Sequence, residues 1–332
     1  MKNLNVYILL MAIFAISSLP SSSLAQTTTQ QATKKFGTML NMLDRLYVDS
    51  VDMDELVEIA IVKMLEELDP HTIYFSKEDL KEANEPLDGS FEGVGVQFNI
   101  FKDTIMVISP IAGGPSERLG IRAGDRIVQV EDEYVAGVGV SNKDVIRLLK
   151  GPKGSMVKVF IKRDGEKNLL EFNIERDKIP IFSVMAAHMI DDKIGYIKVS
   201  RFAKTTLEEL RAALEDLNSQ GMKDLILDLQ GNGGGMLRTA INMSDEFLSD
   251  DKLIVYTEGR AFPREDTYAS YEGLFEKGRL IILVDGGSAS ASEIVSGAVQ
   301  DWDRGLIVGR RSFGKGLVQR PINLGDGSAI RM

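Results

Sequence analysis

Residues 279–301 read RLIILVDGGSASASEIVSGAVQD and combine three local patterns that together decide the fold class. The apolar run from Leu280 to Val284 is typical of a buried strand, and apolar residues after Ala291 recur at helical spacing. Glycine, serine and alanine between them form a narrow turn. A strand, a glycine turn and a helix in this order indicate an α/β domain whose helices cover a sheet.

The turn holds three serines at alternating positions, Ser288, Ser290 and Ser292. A serine at the start of a helix lies where free N–H groups and the helix dipole favour developing negative charge. Such a serine is a candidate nucleophile, with the N–H of Ala291 as a candidate oxyanion donor. The alternative is helix–sheet packing through small residues, with one serine as an ordinary N-cap. The motif by itself leaves both interpretations open.

A serine nucleophile needs a proton acceptor. Neither of the two histidines, His71 in LDPHT and His188 in AAHMI, has a glycine turn or a neighbouring carboxylate pattern that suggests a catalytic triad. The candidate base is Lys315 in RRSFGKGLVQR, one helix and one strand beyond the serines. A lysine serves as a base when desolvation leaves it neutral, whereas most lysines are solvated surface charges.

A second glycine cluster, LDLQGNGGGML at residues 227–237, also follows a strand and opens a helix. It lacks the lysine–serine ending of a P-loop and the context of a dinucleotide site. The cluster is better suited to supply backbone N–H donors to an oxyanion.

Composition limits the classes of function. The chain has 332 residues, enough for two or three domains, and its 44% hydrophobic and 27% charged residues are typical of a globular protein. A net charge of −10 argues against nucleic acid or an anionic membrane as the main partner. The absence of cysteine excludes disulfides, a thiol nucleophile, thiolate metal sites and lipid attachment to cysteine.

The N-terminus has the pattern of a signal peptide. Lys2 precedes an apolar run from Val6 to Ile16, and small residues end at Ala25. We expect cleavage near Ala25 and export to the periplasm or cell envelope. An uncleaved membrane anchor is the alternative, although the run is shorter than the roughly 20 residues of a comfortable span.

The remaining chain divides by its periodicity. Residues 26–35 are polar and are expected to form a flexible lead-in, and two amphipathic helices follow before Pro70. Residues 88–176 form strands with one short and one longer helix, and strands and helices alternate from about residue 181. GLVQRPINL at 316–324 is expected to be a strand, and the chain ends within a further strand pattern, which suggests truncation.

The whole set of motifs resembles the C-terminal processing peptidases, also called tail-specific or carboxyl-terminal proteases. The motifs that carry the resemblance, in the family's order, are LDPHT, FEGVGVQF, SERLGIRAGDRIVQVED, LLKGPKGSMVKVFIKR, IGYIKVSRF, LILDLQGNGGGML, DGGSASASEIVSGAVQD and VGRRSFGKGLVQ. Each is weak alone, and together they are highly specific.

The resemblance implies a multidomain α/β protein without metal or cofactor. Its expected parts are a signal peptide (1–25), an N-terminal helical region (26–87), an inserted PDZ domain that is β-rich with two helices (88–176), and a ClpP/crotonase-like α/β serine peptidase core (177–332) whose C-terminal part is missing.

The resemblance also assigns roles in the core. It makes Ser290 the nucleophile, Lys315 the general base, and Gln319 the residue that orients the lysine. On a strand, residues four apart face the same side, so a Lys315–Gln319 contact is geometrically reasonable. The expected oxyanion donors are the N–H of Ala291 and one from the glycine cluster, first Gly234 and next Gly235. The family often reads RNNPGG where this chain reads QGNGGG at 230–235, which leaves that second donor open.

In the PDZ domain the resemblance assigns the carboxylate-binding turn to Gly93, Val94, Gly95 and Val96, whose N–H groups would capture a peptide C-terminus while the peptide adds as a strand. The expected partners are therefore proteins or peptides with accessible C-termini. The PDZ domain is expected either to tether substrate or to gate the active site. An adaptor or activator protein is a further partner that the sequence leaves open. The N-terminal helices suggest a homodimer, with packing on the core as the alternative. A non-catalytic PDZ scaffold with a peptidase-like core is the competing function.

Overall fold

The computed structural model describes residues 22–249 and 251–332, with side chains from residue 28 onward. The described residues divide into two compact units, one comprising those up to Phe75 together with Pro321–Met332, the other comprising those within Ser76–Arg320. The signal peptide predicted for residues 1–25 lies outside the described residues, apart from the backbone of 22–25. No helix in the described part of the chain is long and apolar enough to cross a membrane.

The first unit consists of two helices and a small sheet. Helix α1 is Ser22–Leu46, and helix α2 is Met53–Glu66, capped by the Asp52 carboxylate, which accepts hydrogen bonds from two N–H groups of its first turn. The prediction of a flexible lead-in at 26–35 is wrong, because glutamine, alanine and lysine favour helix and extend α1 towards the N-terminus. An antiparallel sheet follows the order β1 (Ile73–Phe75), β18 (Ala329–Arg331), β17 (Pro321–Asn323).

The second unit begins with helix α3 (Lys77–Asp88) and continues into a β-rich domain. The strands of its sheet are, in spatial order, β3 (Val96–Ile100), β4 (Ile105–Pro110), β5 (Arg126–Val130), β7 (Met156–Lys162) and β8 (Leu170–Glu175), with β6 (Glu133–Tyr134) paired to β5. Helices α4 (Pro115–Arg118) and α5 (Asn142–Leu149) accompany the sheet, and Ser141 and Asp144 form a capping box at the start of α5. Alternating residues such as Val107, Ile127 and Val159 are fully buried and form its core.

Strand β2 (Ser90–Gly93) leads into this domain and β9 (Asp177–Pro180) leads out of it. The two strands pair antiparallel, with Ser90 opposite Pro180 and Gly93 opposite Asp177. The sequence did not predict β9, because a four-residue strand containing charged residues has no distinctive pattern of its own.

A second α/β domain follows, built on a five-stranded sheet. Its spatial order is β10 (Val184–Met189), β11 (Ile194–Val199), β12 (Asp224–Asp228), β15 (Leu280–Val284) and β16 (Leu306–Gly309). Strands β11, β12, β15 and β16 are parallel, and β10 pairs antiparallel with β11.

Three helices cover one face of this sheet: α6 (Thr206–Ser219), α7 (Leu237–Asp245) and α8 (Ala291–Asp301). In α6 the side chains of Leu210, Leu214 and Leu217 recur at helical spacing and are fully buried against the sheet. Each buried leucine is stabilising by about 2 kcal/mol through the removal of apolar surface from water.

Further segments in the second half of the chain differ from the sequence-based expectation. Strand β13 (Leu253–Gly259) pairs with β14 (Phe262–Tyr268), which was not predicted because its residues, FPREDTY, are mostly polar and exposed. The predicted strand at 316–324 is wrong over most of its length. Only Pro321–Asn323 pairs, and residues 310–320 have no regular secondary structure, since their backbone groups find no neighbouring strand.

The sheet topology fixes where the two glycine-rich turns lie. Strands β12 and β15 are neighbours and parallel, with Leu225 opposite Leu280 and Asp228 opposite Leu283. The loops that follow their carboxyl ends therefore emerge side by side, which is where open α/β sheets usually bind ligands. These loops carry the glycine cluster and the serine turn.

Candidate active site

Ser290 occupies a strained position between β15 and α8. Its φ of 54° and ψ of −108° lie outside the regions favoured by L-residues, and helix α8 begins at the next residue, Ala291. The N–H of Ser290 donates to Glu293 Oε2 at 2.8 Å, which holds the turn. A sharp strand-to-helix turn of this kind is how hydrolases present a nucleophile.

The flanking serines have structural roles. Ser288 Oγ donates to the carbonyl oxygen of Leu229 at 2.8 Å, and Ser292 Oγ donates to that of Asn232 at 2.8 Å. Both serines are 0% exposed, so their hydroxyls are inaccessible and already used. These two hydrogen bonds connect the serine turn to the glycine loop, and the N-cap position of α8 belongs to Ser290.

A cavity of about 160 Å³ opens at Ser290. The residues that line it are Gly235, Leu237, Val255, Tyr256, Thr257, Ser290, Ala291, Ile294, Lys315, Gly316, Leu317, Val318 and Gln319. The structure thus brings the predicted nucleophile, base and orienting residue to one cavity, together with two of the three predicted oxyanion donors.

Lys315 and Gln319 are in contact. Lys315 Nζ donates to Gln319 Oε1 at 2.8 Å, and both residues are half-buried. This contact was expected from strand geometry, but it forms within an irregular segment instead. Within the described structure Lys315 Nζ makes this bond and none to Ser290 Oγ, so the amine is bound to Gln319, while Ser290 lines the same cavity.

The side chains of Asp285 and Asn232 shape the glycine loop. Asp285 Oδ1 accepts the N–H groups of Gly231 and Gly287, each at 2.9 Å, and joins the two turns. The hydrogen bond from Gly231 is the main reason that the pKa of Asp285 lies below its usual value. Asn232 donates to the carbonyl oxygen of Val199 at 3.0 Å, and its Oδ1 accepts the N–H of Gly234 at 2.9 Å.

The backbone donors near Ser290 can be compared directly. The N–H of Gly234 is used by Asn232, while within the described residues the N–H groups of Gly235 and Ala291 donate to no protein acceptor. Gly234 nevertheless lies against Ser290, because a Cβ added there would be 3.0 Å from Ser290 Cβ and 3.1 Å from Ala291 N. The geometry therefore favours Gly235 over Gly234 as the second donor, the reverse of the order expected from the sequence.

Asp228, at the end of β12, anchors the start of the same loop. It accepts hydrogen bonds from Tyr196 Oη at 2.6 Å, Lys198 Nζ at 2.9 Å and the N–H of Gln230 at 2.8 Å. Burial would raise the pKa of Asp228, but these hydrogen bonds outweigh it and lower the pKa. Burial and the neighbouring Asp228 raise the pKa of Tyr196 to about 12.

Sequence reasoning missed four of these residues, namely Asp228, Asn232, Asp285 and Glu293. A signal existed for Glu293, because serine followed three residues later by glutamate is the pattern of a capping box. The other three act through loop contacts between distant segments, which no local pattern reveals. His188 stacks beside Tyr196, with ring centroids 5.2 Å apart, and does not line the cavity.

A second cavity, of about 230 Å³, lies in the β-rich domain between β3 and α5. The residues that line it are Glu85, Phe91, Gly93, Val94, Gly95, Val96, Phe98, Val145, Ile146, Leu149, Lys150 and Ile181. All four residues of the predicted carboxylate-binding turn thus border one apolar groove between a strand and a helix. Lys150 and Glu85 form an ion pair at this groove.

Comparisons with known proteins identify the family. The chain is 35% identical over 316 residues to the carboxy-terminal processing protease CtpA of Bacillus subtilis (strain 168), covering 94% of this chain and 67% of the relative. It is also 35% identical over 314 residues to the carboxy-terminal-processing protease of Bartonella bacilliformis, covering 92% of this chain and 71% of the relative. The chain belongs to the carboxy-terminal processing protease family.

Three family models match successive parts of the chain. Peptidase family S41 matches residues 193–332, a PDZ domain matches 106–163, and the N-terminal domain of the activating protease CtpB matches 11–79. These matches confirm the family and the three-part organisation that the motifs predicted. The chain spans about two thirds of the length of the two relatives.

Among solved structures, the photosystem II D1 C-terminal processing protease is similar to this chain. The sequence identity is 31%, the match covers 89% of this chain and 85% of that chain, and the TM-score is 0.48.

Proposed function

We propose that this protein is an exported serine endopeptidase that binds protein C-termini through its PDZ domain and cleaves near the tail with a Ser290–Lys315 dyad. The observation that carries the proposal is the single cavity lined by Ser290, Lys315 and Gln319, with the Ala291 and Gly235 backbone beside them. Family membership supports peptide hydrolysis as the reaction class.

The proposed reaction needs only groups of this chain and water. Neutral Lys315 takes the proton of Ser290 Oγ as that oxygen attacks the scissile carbonyl carbon. The carbon–nitrogen bond then breaks, and the protonated lysine gives its proton to the leaving amine. Water attacks the resulting ester with the lysine again as base, which releases the new carboxylate and restores the serine.

Backbone donors stabilise the charge that develops during attack. The N–H of Ala291 lies at the start of helix α8, where the helix dipole also favours negative charge. The N–H of Gly235 is the second donor of the proposed oxyanion hole. Removing one such donor from a hydrolase typically lowers kcat by about 10² to 10³.

The PDZ groove supplies substrate recognition in this proposal. Its turn, Gly93–Val96, precedes strand β3, and α5 forms the opposite wall with Val145 and Leu149. An extended peptide would add beside β3 with its apolar last side chain in the groove and its carboxylate at the turn. The substrates are accordingly proteins with accessible, apolar C-terminal residues.

The test uses the full chain and an unstructured peptide tail with an apolar C-terminus. Changing Ser290→Ala or Lys315→Ala should remove cleavage, because the first deletes the nucleophile and the second its base. A covalent serine-directed probe should label the unaltered protein at Ser290 and leave Ser290→Ala unlabelled. Cleavage that persists in either variant would refute the dyad. Labelling at Ser288 or Ser292 would assign the role of nucleophile to that serine instead.

Export and dimerisation extend the proposal to the whole protein. The signal peptide pattern at residues 1–25 supports export, and N-terminal sequencing of the protein from a fractionated cell envelope should give Gln26 as the first residue. Exposed apolar side chains on α1 and α2, among them Met42 and Met64, support pairing of two copies. Sedimentation of the protein with and without charged substitutions at these two positions distinguishes a dimer from a monomer.

A further inference from the structure

The carboxylate of Glu293 joins the nucleophile turn to the segment that carries the base. Its Oε2 accepts the N–H of Ser290 at 2.8 Å and that of Lys315 at 2.9 Å. Its Oε1 accepts Ser312 Oγ at 2.8 Å and the N–H of Gly314 at 2.6 Å. An ionised carboxylate offers about four lone-pair sites, so all of its acceptor capacity is used.

These four hydrogen bonds lie where the backbone contacts of the Lys315 segment end. Before Lys315, the segment is tied down by Arg310 N to Val284 O at 3.1 Å and by Phe313 N to Ser288 O at 3.0 Å. After Lys315, the N–H groups of residues 316–318 donate to no acceptor in the described part of the chain. Glu293 is therefore the last anchor of the backbone before the base.

Glu293 is also rigidly related to the nucleophile. It is the third residue of α8, one helical turn after Ser290, so the helix fixes the distance between the serine and the carboxylate. Lys315 itself lies in a segment without regular secondary structure, so no helix or strand fixes its backbone. Within the described residues, Glu293 is thus the side chain that accepts the backbone N–H groups of both Ser290 and Lys315.

We propose that Glu293 is a positioning residue that places Lys315 against Ser290 by holding the backbone of both residues with a single ionised carboxylate. The inference rests on the proposed Ser290–Lys315 dyad. Glu293 takes no proton in the reaction and touches no substrate. It acts by fixing the base, so its loss slows the chemical step while binding at the PDZ groove is unchanged.

The decisive variant is Glu293→Gln, which keeps the shape of the side chain. The amide nitrogen cannot accept hydrogen bonds, so one pair of donors faces another donor instead of an oxygen. We expect kcat to fall about 10- to 100-fold, the size expected when a hydrogen bond to a charged group is lost, with KM within about twofold. Glu215→Gln, an exposed glutamate in the middle of α6, is the matched control and should keep both constants.

A second measurement does not depend on catalysis. Amide hydrogen exchange in the full chain should show faster exchange at Gly314 and Lys315 in Glu293→Gln than in the unaltered protein, with the helices α6 and α7 unchanged. Ser312→Ala removes one donor without touching α8. It should raise exchange at the same two amides and lower kcat by about 2- to 10-fold, which keeps the inference testable if Glu293→Gln does not fold.

The outcomes separate this inference from the proposed function. Exchange at Gly314 and Lys315 that is unchanged in Glu293→Gln overturns the positioning role, as does a rise that is uniform across the core, or a kcat within twofold of the unaltered protein. Cleavage that survives Ser290→Ala refutes the dyad, yet the exchange experiment still decides whether Glu293 holds the Lys315 segment.

Discussion

The replacement Gly234→Ala gives a sharp test of how the glycine loop supports the nucleophile. Gly234 has a φ of +101°, which L-residues avoid at a cost of about 1–2 kcal/mol. Its added Cβ would lie 2.8 Å from the carbonyl oxygen of Ala289 and 3.0 Å from Ser290 Cβ, both closer than ordinary contacts. Overpacking of this kind costs about 1–3 kcal/mol, so the total strain is about 2–5 kcal/mol.

The strain is relieved when the glycine loop and the serine turn move apart. Such a movement carries the N–H of Gly235 away from Ser290, which in the proposed mechanism is equivalent to losing one oxyanion donor. We expect kcat/KM on a peptide tail to fall by about 10² to 10³. Thermal unfolding measured alongside should show a lower melting temperature, because part of the strain remains in the folded state.

The neighbouring Gly233 supplies the control. A Cβ added there meets nothing within 4 Å, and its φ lies outside the left-handed region. Gly233→Ala should therefore keep kcat/KM within about twofold and stabilise the fold by about 0.4–1 kcal/mol through the unfolded state. If Gly234→Ala retains half of the activity, or if Gly233→Ala loses as much as Gly234→Ala, the reasoning about the loop is refuted.

Three further predictions concern separate contacts. Gln319→Ala removes the acceptor for Lys315 Nζ and should lower kcat about tenfold with KM unchanged, as measured in steady-state assays; an unaltered kcat would contradict an orienting role. Ser292→Ala removes one buried hydrogen bond and should destabilise the protein by about 1 kcal/mol in denaturant melts while probe labelling persists; loss of labelling in the folded variant would count against Ser290 as nucleophile. Burial would raise the pKa of Asp125, but hydrogen bonds led by that from Arg163 lower it, so the pair stabilises the PDZ domain above about pH 4 and this stability is lost as the pH falls further. Asp125→Asn should lower the free energy of unfolding by about 3 kcal/mol at neutral pH and remove this loss of stability in acid. Thermal melts of both proteins over a range of pH test the prediction. The same pH dependence in the variant and the unaltered protein would contradict it.

The sequence predicted the elements whose pattern lies within a short stretch of neighbouring residues. The strand, turn and helix around Ser290 combine a buried apolar run, glycines and a 3.6-residue repeat, and the structure contains all three. The helices of the α/β domain were found for the same reason. The short strands β1 and β9 were missed because each pairs with a segment far away in the chain, which a window of neighbouring residues does not contain. Strand β14 pairs with the neighbouring β13 and was missed because its residues are mostly polar and exposed.

The candidate active site also combines residues with a local sequence signal and residues without one. The serine, the lysine and the glycine loop are visible as residue types in unusual contexts, whereas Asn232 is an ordinary residue in the sequence. Its side chain bonds Val199 O and Gly234 N, and its carbonyl oxygen accepts Ser292 Oγ, so it connects three segments. These contacts depend on the order of strands in the sheet, and no spacing in the sequence encodes them.

The contact between Lys315 and Gln319 is instructive in another way. It was inferred from the alternation of a strand, and the contact forms at 2.8 Å although the strand does not. A spacing of four residues lets two long side chains meet in several backbone conformations. A correct contact is therefore weak support for the secondary structure from which it was inferred.

The pairing of β2 with β9 has a consequence for engineering. Gly93 and Asp177 are opposite each other across this ladder, so the chain enters and leaves the PDZ domain at points about 5 Å apart. A two-residue hairpin turn could close that gap, and so could any other domain whose ends lie close together. The recognition module is therefore exchangeable in principle: a different peptide-binding domain grafted between these two residues would give the same hydrolytic core a new set of targets.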